Sequence, residues 1–290
     1  MTPERADLAT TLLRLHRPGE PLVLVNVWDP GSARVVAAAG APAIATGSAG
    51  VSHALGRPDG EMLSREEMLA AVRAVAASVP VPVTADMEAG YGGTPAEVGE
   101  TMAMVLDAGA VGVNIEDSDP SGAGVGLVEL EEQRRRLGAA RARAEREGVH
   151  LVINARCDAF WRQAGDPATR LAGAVERANA YLDAGADCAF FPGAVDPSTI
   201  AALVQGVRGP VNVLATPASP TIPELAALGV GRVSLGSWPA RAALTLLSRI
   251  ATEVPRTGRY DALQGAMSYA DAQALFSAVP TPHTPRSAGE

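Results

Sequence analysis

An α/β architecture built on one parallel sheet is what this 290-residue sequence predicts, on three observations. Short, nearly continuous apolar runs alternate along the chain with Ala-rich amphipathic segments, the pattern of strands buried on both faces and joined by crossover helices. A glycine ends helix before strand in a recurring form, Asp107-Ala-Gly-Ala, Asp183-Ala-Gly-Ala and Ala227-Leu-Gly-Val. Polar and acidic residues gather just after the apolar runs, where parallel sheets carry their chemistry.

The elements follow in order. Residues 1 to 20 read as a polar amphipathic helix, Leu22 to Trp28 as the first strand, and Asp29-Pro-Gly-Ser32 as a loop whose Ser32 can cap the next helix. Ala43 to Thr46 is the second strand, and Gly47 to Gly60 a long loop. Ser64 opens the following helix, with Glu67 completing a capping box. Val83 to Met87 is the third strand, Thr94 with Glu97 opens the next helix, and Val111 to Glu116 is the fourth strand. A helix over Leu127 to Glu147 leads to the fifth strand, Leu151 to Cys157. Helices over Asp166 to Ala184, Ser198 to Val207 and Ile222 to Leu228 alternate with strands over Cys188 to Phe191, Val211 to Ala215 and Arg232 to Leu235. A last helix, Pro239 to Glu253, completes eight βα pairs. Eight pairs indicate a (β/α)8 TIM barrel occupying residues 1–257 as a single domain, with 258–290 a C-terminal extension of weak helix and a Pro-rich tail from Val279. An open doubly wound sheet is the competing arrangement, but no Rossmann-type glycine fingerprint follows the first strand, which also speaks against NAD.

Composition narrows the function. At 47% hydrophobic and 19% charged residues the chain is globular, and its net charge of −8 argues against a nucleic-acid partner. The basic group Arg134, Arg135, Arg136, Arg141, Arg143 and Arg146 is interspersed with Glu, as on a solvated or subunit-facing helix. No secretory segment and no apolar run of membrane length is visible, so no membrane partner and a cytoplasmic location are expected. All 24 basic residues are Arg. Imine-forming aldolases, pyridoxal phosphate (PLP) enzymes and Walker P-loops each need a lysine and are excluded. Cys157 and Cys188 are too few for a disulfide scaffold or zinc cluster and sit in apolar runs, as core residues do.

The chemistry centres on Val81-Pro-Val-Thr-Ala-Asp-Met-Glu-Ala-Gly-Tyr-Gly-Gly93 and Val111-Gly-Val-Asn-Ile-Glu-Asp117. Strand alternation places Asp86 and Glu88 on one side, and Glu116 ends the neighbouring run. Three carboxylates at adjacent strand ends repel unless a cation lies between them. A hard divalent ion, Mg²⁺ or alternatively Mn²⁺, answers that need with oxygen ligands and retained water. Thr46-Gly47-Ser48 offers hydroxyls and backbone N–H groups to a carboxylate or phosphate. Arg156 shares a face with Asp158 and needs an anion, which a substrate carboxylate, a structural partner such as Glu116 or Asp158, or both together can supply. Asn154, Asn212 and Thr216 are further candidate substrate contacts, and Tyr91 a candidate proton donor.

Five motifs in order, Thr46-Gly-Ser-Ala-Gly50, Leu55-Gly-Arg-Pro-Asp59, Asp86-Met-Glu-Ala-Gly-Tyr-Gly92, Ile115-Glu-Asp117 and Ala155-Arg156-Cys-Asp158, resemble the isocitrate lyase and phosphoenolpyruvate mutase superfamily over about residues 20 to 250. The resemblance implies a barrel, often with its last helix exchanged between subunits, in a homo-oligomer that is usually a homotetramer, with a dimer as the other expected state. It implies Mg²⁺ bound directly by Asp86, with Asp59, Glu88 and Glu116 reaching it largely through water. Thr46, Gly47 and Ser48 match the substrate-carboxylate site, and Arg156 a contact to a second carboxylate or departing group. Asp59, Glu116 and Arg156 are thereby candidate catalytic residues, beside Tyr91 as the candidate proton donor. The implied chemistry makes or breaks a bond beside a 2-oxo acid through a metal-bound enolate, which needs no lysine.

Departures from the pattern steer the reaction. Where the lyases carry a Lys-Lys/Arg-Cys-Gly-His loop this chain has Ser118-Asp-Pro-Ser-Gly-Ala-Gly-Val-Gly126, without Cys or His, and it lacks the Lys- and Asn-containing gate of the phosphoenolpyruvate mutases. Phe191-Pro192-Gly193 stands where the lyases have a Glu. The 118–126 stretch reads equally as a mobile lid or a surface loop. The expected activity is Mg²⁺-dependent cleavage or decarboxylation of a small 2-oxo or 2-hydroxy di- or tricarboxylate. The alternatives are phosphorus–carbon chemistry and a non-catalytic metabolite-binding barrel.

Overall fold

The computed structural model describes residues 3–119 and 126–277. Most of the 118–126 loop and the Pro-rich tail from Val279 lie outside the described residues. Among those described, strands β1 (Leu22–Leu24), β2 (Asn26–Val27), β3 (Ile44–Thr46), β4 (Val83–Asp86), β5 (Gly112–Glu116), β6 (Val152–Arg156), β7 (Cys188–Phe191), β8 (Val211–Leu214) and β9 (Arg232–Ser234) form one parallel sheet. β1 pairs with β9 and β2 with β3, while Val25 alone separates β1 from β2. One interrupted strand therefore joins both edges, giving the eight-stranded barrel that the alternation predicts.

The expected continuous strand from Leu22 to Trp28 is thus broken, because its two halves serve different neighbours. Asn26 makes the break tolerable. Its Nδ2 donates to the Thr46 carbonyl at 2.9 Å, and its Oδ1 accepts the Leu235 and Gly236 amides at 2.9 and 2.8 Å. Backbone groups that an ideal ladder would pair are satisfied by one side-chain amide.

Around the barrel lie α1 (Pro3–Arg14), α2 (Pro30–Ala38), α3 (Ser48–Ala54), α4 (Arg65–Ala76), α5 (Pro95–Asp107), α6 (Leu130–Arg146), α7 (Arg170–Asp183), α8 (Pro197–Gly206), α9 (Ile222–Ala227), α10 (Trp238–Thr257) and, after a short 3₁₀ turn at Asp261–Leu263, α11 (Tyr269–Ser277). The capping boxes Ser64/Glu67 and Thr94/Glu97 form as their spacing predicts, each such cap contributing about 1 kcal/mol. Ser32 is different from expectation: Asp29 caps α2, its carboxylate accepting the Ser32 amide at 2.6 Å. Pro30 fits the first helical position, so the cap falls on the residue before it. The predicted loop from Gly47 to Gly60 holds α3, and the N-terminal helix stops at Arg14. Gly109, Gly185 and Gly229 have φ of +94°, +105° and +89°, the left-handed step that ends a helix before a strand.

α1 closes the amino-terminal mouth, with Leu12 wholly buried against the floor of the barrel. A Cβ on Gly112 would lie 2.6 Å from Leu12 Cδ2, so only glycine admits that plug. Burial pushes both cysteine thiols up, Cys188 to about 12, so both sit as inert core groups. α10 is the opposite case. Only Ala240 of it is buried, and Leu244, Leu246 and Leu247 are exposed. α11 returns onto α2, where Arg34 donates to the Leu275 and Phe276 carbonyls at 2.8 and 3.1 Å.

Candidate active site

At the carboxyl ends of the strands lies a cavity of about 110 Å³, lined by Gly47, Ser48, Asp59, Asp86, Asn114, Arg156, Phe190 and Ser234 among others. Asp86, the last residue of β4, is fixed on two sides. Its amide donates to Thr46 Oγ1 at 3.0 Å, and its Oδ2 accepts the Ser48 amide at 3.0 Å. Its Oδ1 is buried without a hydrogen-bond partner. Asp59 comes in from the loop after α3, raised by burial and then by Asp86, against hydrogen bonds from Ser48 and Gly60.

Glu88 reaches the site by a route that strand alternation does not describe. β4 ends at Asp86, and Glu88 has φ +48°. Glu61 and Tyr91 share this left-handed backbone, at +54° and +52°. The three form a reciprocal clasp: Glu61 Oε1 accepts the Ala89 and Tyr91 amides at 3.1 and 3.2 Å, and Glu88 Oε2 accepts the Glu61 amide at 2.5 Å. Side chains in this conformation cost of order 1–3 kcal/mol each, a strain that persists where surroundings over-determine it and that gathers at functional sites. Tyr91 donates its hydroxyl to Glu88 Oε1 at 2.9 Å. Burial, then Asp86, pushes Glu88 up to about 7, and burial and Glu88 hold the Tyr91 phenol above its ordinary range.

Arg156, at the end of β6, supplies positive charge that the carboxylates alone lack. Its terminal nitrogen lies 2.7 Å from Glu116 Oε2, and its Nε and second terminal nitrogen donate to Asp158 at 2.6 and 3.0 Å. Burial alone would lower the guanidinium, but Glu116 and Asp158 hold it above its ordinary value. Burial raises Glu116 despite Arg156, with Asp158 and Asp86 adding to the rise. Asp158 also accepts the Ser118 hydroxyl, and Asp117 beneath it takes the Tyr181 hydroxyl at 2.6 Å and Arg177 at 3.2 Å.

The structure brings Gly47, Ser48, Asp59, Asp86 and Arg156 together on the cavity wall. Glu88 and Glu116 stand behind that wall, engaged by Tyr91 and Arg156 respectively. Thr46 orients the Asp86 backbone, and Tyr91 faces Glu88 and a separate surface recess. Asn154 and Asn212 are wholly buried, and Thr216 closes a turn with Ser219. Sequence reasoning did not single out Asn26, Asn114, Trp161, Ser234 or the clasp residue Glu61. Asn114 had a usable signal, lying two residues before Glu116 on the same strand face.

Among the described residues, no three His, Cys, Asp or Glu side chains form a ready-made metal cage. The donor set still fits a hydrated Mg²⁺. One buried carboxylate oxygen lacks a partner and a second carboxylate lines the same small polar cavity, matching an ion that keeps several waters.

A family model described as phosphoenolpyruvate phosphomutase matches residues 12–255. An uncharacterized protein of Mycobacterium tuberculosis is 36% identical over 260 residues, 87% of this chain and 94% of that protein. The 2-methylisocitrate lyase of Salmonella typhimurium is 28% identical over 192 residues, 61% of this chain and 63% of the enzyme. Among solved structures, a Burkholderia cenocepacia protein provisionally assigned as a phosphonomutase is 42% identical, with a TM-score of 0.82 over 86% of this chain and 99% of its own. Phosphonopyruvate hydrolase in complex with oxalate and Mg²⁺ is 27% identical, with a TM-score of 0.81 over 93% of this chain and 95% of its own. No described helix is long and apolar enough to cross a membrane.

Proposed function

Because this chain belongs to the phosphoenolpyruvate mutase family, in a superfamily that includes both lyases and mutases, we propose that it is a Mg²⁺-dependent lyase or decarboxylase of a small 2-oxo or 2-hydroxy di- or tricarboxylate. The observation that carries this reading is Asp86, whose Oδ1 is buried without a hydrogen-bond partner, on the wall of a cavity that Arg156 also lines. Asp86 would hold the ion directly, with Asp59, Glu88 and Glu116 acting through water. When bound, the ion supplies a Lewis acid that stabilises negative charge on a substrate oxygen.

The chain's own residues do the rest. Glu116 and Asp158 occupy part of the Arg156 fork and fix its plane, and its remaining N–H groups suit a substrate carboxylate. The Ser48 hydroxyl stays with Asp59, and the Ser48 amide with Asp86, so this segment orients carboxylates as well as facing substrate. Among the described residues lining the cavity there is no thiol and no imidazole. When a 2-oxo diacid loses as CO₂ the carboxylate borne by the carbon next to its oxo group, the bonding pair stays as an enolate that water can protonate, so the step requires an orienting site and no dedicated side-chain acid.

The likeness to phosphonopyruvate hydrolase favours a second reading, phosphorus–carbon cleavage or transfer at the same site. A screen of 2-oxo acids, 2-hydroxy acids and phosphonopyruvate with Mg²⁺ separates the readings. Pyruvate or CO₂ release from a carboxylate is the expected result. Phosphate release from phosphonopyruvate alone supports the second reading, and tight oxalate binding with no turnover of any compound leaves a non-catalytic binding barrel.

A homo-oligomer and a cytoplasmic location belong to the same reading. The exposed leucines of α10 propose a second copy of this chain as their cover. Sedimentation should show a dimer or larger species, and Leu247→Glu should shift it toward monomer. A wild-type protein that sediments as a monomer at micromolar concentration would sink that part.

A further inference from the structure

Among the described residues, Arg232 is one of the largest wholly buried side chains. It rises from β9 inside the barrel and reaches across to β5, on the opposite side of the closed strand order, where its terminal nitrogen donates to Asn114 Oδ1 at 3.3 Å. Its other terminal nitrogen meets His16 Nε2 at 3.3 Å. His16 Nδ1 lies 2.9 Å from the Leu12 carbonyl, which assigns that nitrogen the proton and leaves Nε2 to accept from Arg232. Burial and then the Arg232 charge hold His16 down to about 3, so its imidazole is neutral. The Arg232 Nε is buried without a partner.

The partners of this guanidinium are therefore uncharged, and among the described residues it makes no ion pair with a carboxylate. Burying a charge in that way is costly unless a field compensates it. The compensating field has an evident source. Asn114, which Arg232 contacts, lines the candidate active site and is the register partner of Asp86 across β4 and β5. The guanidinium lies one side chain beneath the cavity floor, and attraction to Cys188 and then to Asp86 opposes the lowering that burial imposes on Arg232.

We propose that Arg232 is a positioning residue that acts by charge: from below the floor it strengthens binding of an anionic ligand in the cavity and weakens binding of the bare divalent ion at Asp86. This inference rests on the metal and carboxylate reading given above. The function of such a strut is to tune the site for the ternary state, in which the substrate's negative charge and the ion's positive charge are both present. His16 from α1 and Asn114 from β5 hold the charge in register without neutralising it.

Titration calorimetry with Mn²⁺ alone, and with oxalate added to the Mn²⁺-loaded protein, tests this in wild type, Arg232→Met, Arg232→Gln and Arg232→Lys. Neutral replacements of a buried charge are often tolerated or stabilising, and Gln retains a donor for Asn114. Removing one charge at this remove is expected to tighten Mn²⁺ and weaken oxalate, each by about tenfold. The Lys variant, which keeps the charge, should stay within about threefold of wild type on both. A merely structural role would loosen both ligands together in the Met and Gln variants, and that result, or no change in either, overturns the inference. Wild-type protein that binds neither ligand overturns the metal reading, and this inference with it.

Discussion

Asp86→Asn is expected to leave the fold intact and to lower affinity for Mg²⁺ or Mn²⁺ at least about a hundredfold, roughly 2.7 kcal/mol. The substitution is nearly isosteric. The residue's own amide still donates to Thr46 Oγ1, and a side-chain oxygen remains to accept the Ser48 amide now 3.0 Å away. What disappears is the charge on the buried Oδ1, a carboxylate oxygen that has no hydrogen-bond partner among the described residues. Thermal unfolding within a few degrees of wild type, with turnover and Mn²⁺ binding both lost, is the expected combination. Unchanged Mn²⁺ affinity would remove Asp86 from the role of direct ligand.

The second large effect is on stability. Arg156→Met leaves Glu116 and Asp158 buried with no cation between them, and breaking a buried pair in this way typically costs about 3–5 kcal/mol. The sign of its pH dependence follows from the carboxylates. Glu116 is already pushed up to about 8 by burial, with Asp158 and Asp86 adding to the rise against the pull of Arg156, and loss of Arg156 raises it further. An acid whose folded pKa is raised binds its proton more tightly in the folded state, so stability is lost as pH climbs from the unfolded pKa toward the folded one. The deficit of Arg156→Met should therefore be smallest near about pH 5 and grow above about pH 8. Urea denaturation at the two pH values measures it. A deficit below about 1 kcal/mol at high pH would mean that the two carboxylates find other partners.

Most of the barrel was legible because its signals are local. Ser64 with Glu67 and Thr94 with Glu97 declare helix starts in four letters, and the glycines at 109, 185 and 229 declare helix ends. Asp86 was legible too, as the acid that ends a buried strand. Strand alternation makes Glu88 a same-side neighbour of Asp86, whereas the chain leaves the strand first and Glu88 arrives through a left-handed backbone held by Glu61. Nothing in an isolated Glu announces a positive φ, because the clasp is set by residues 27 positions apart in sequence. The break at Val25 was hidden for a similar reason. Leu22 to Trp28 is apolar apart from Asn26, and only closure of the sheet, where Asn26 bridges β3 to the end of β9, shows why it cannot run on. The pairing of Arg156 with Glu116 and Asp158, the structural partners its place at a strand end suggests, forms, so one of the three strand-end acids has a guanidinium beside it as well as any ion.

An anomalous difference map from a crystal grown with Mn²⁺ and oxalate tests the central claim most directly. The account predicts one strong peak at about 2.1 Å from Asp86 Oδ1, with oxalate on the ion and Asp59, Glu88 and Glu116 separated from it by water. A peak elsewhere, or a fully occupied oxalate in the cavity with no peak at Asp86, would contradict it.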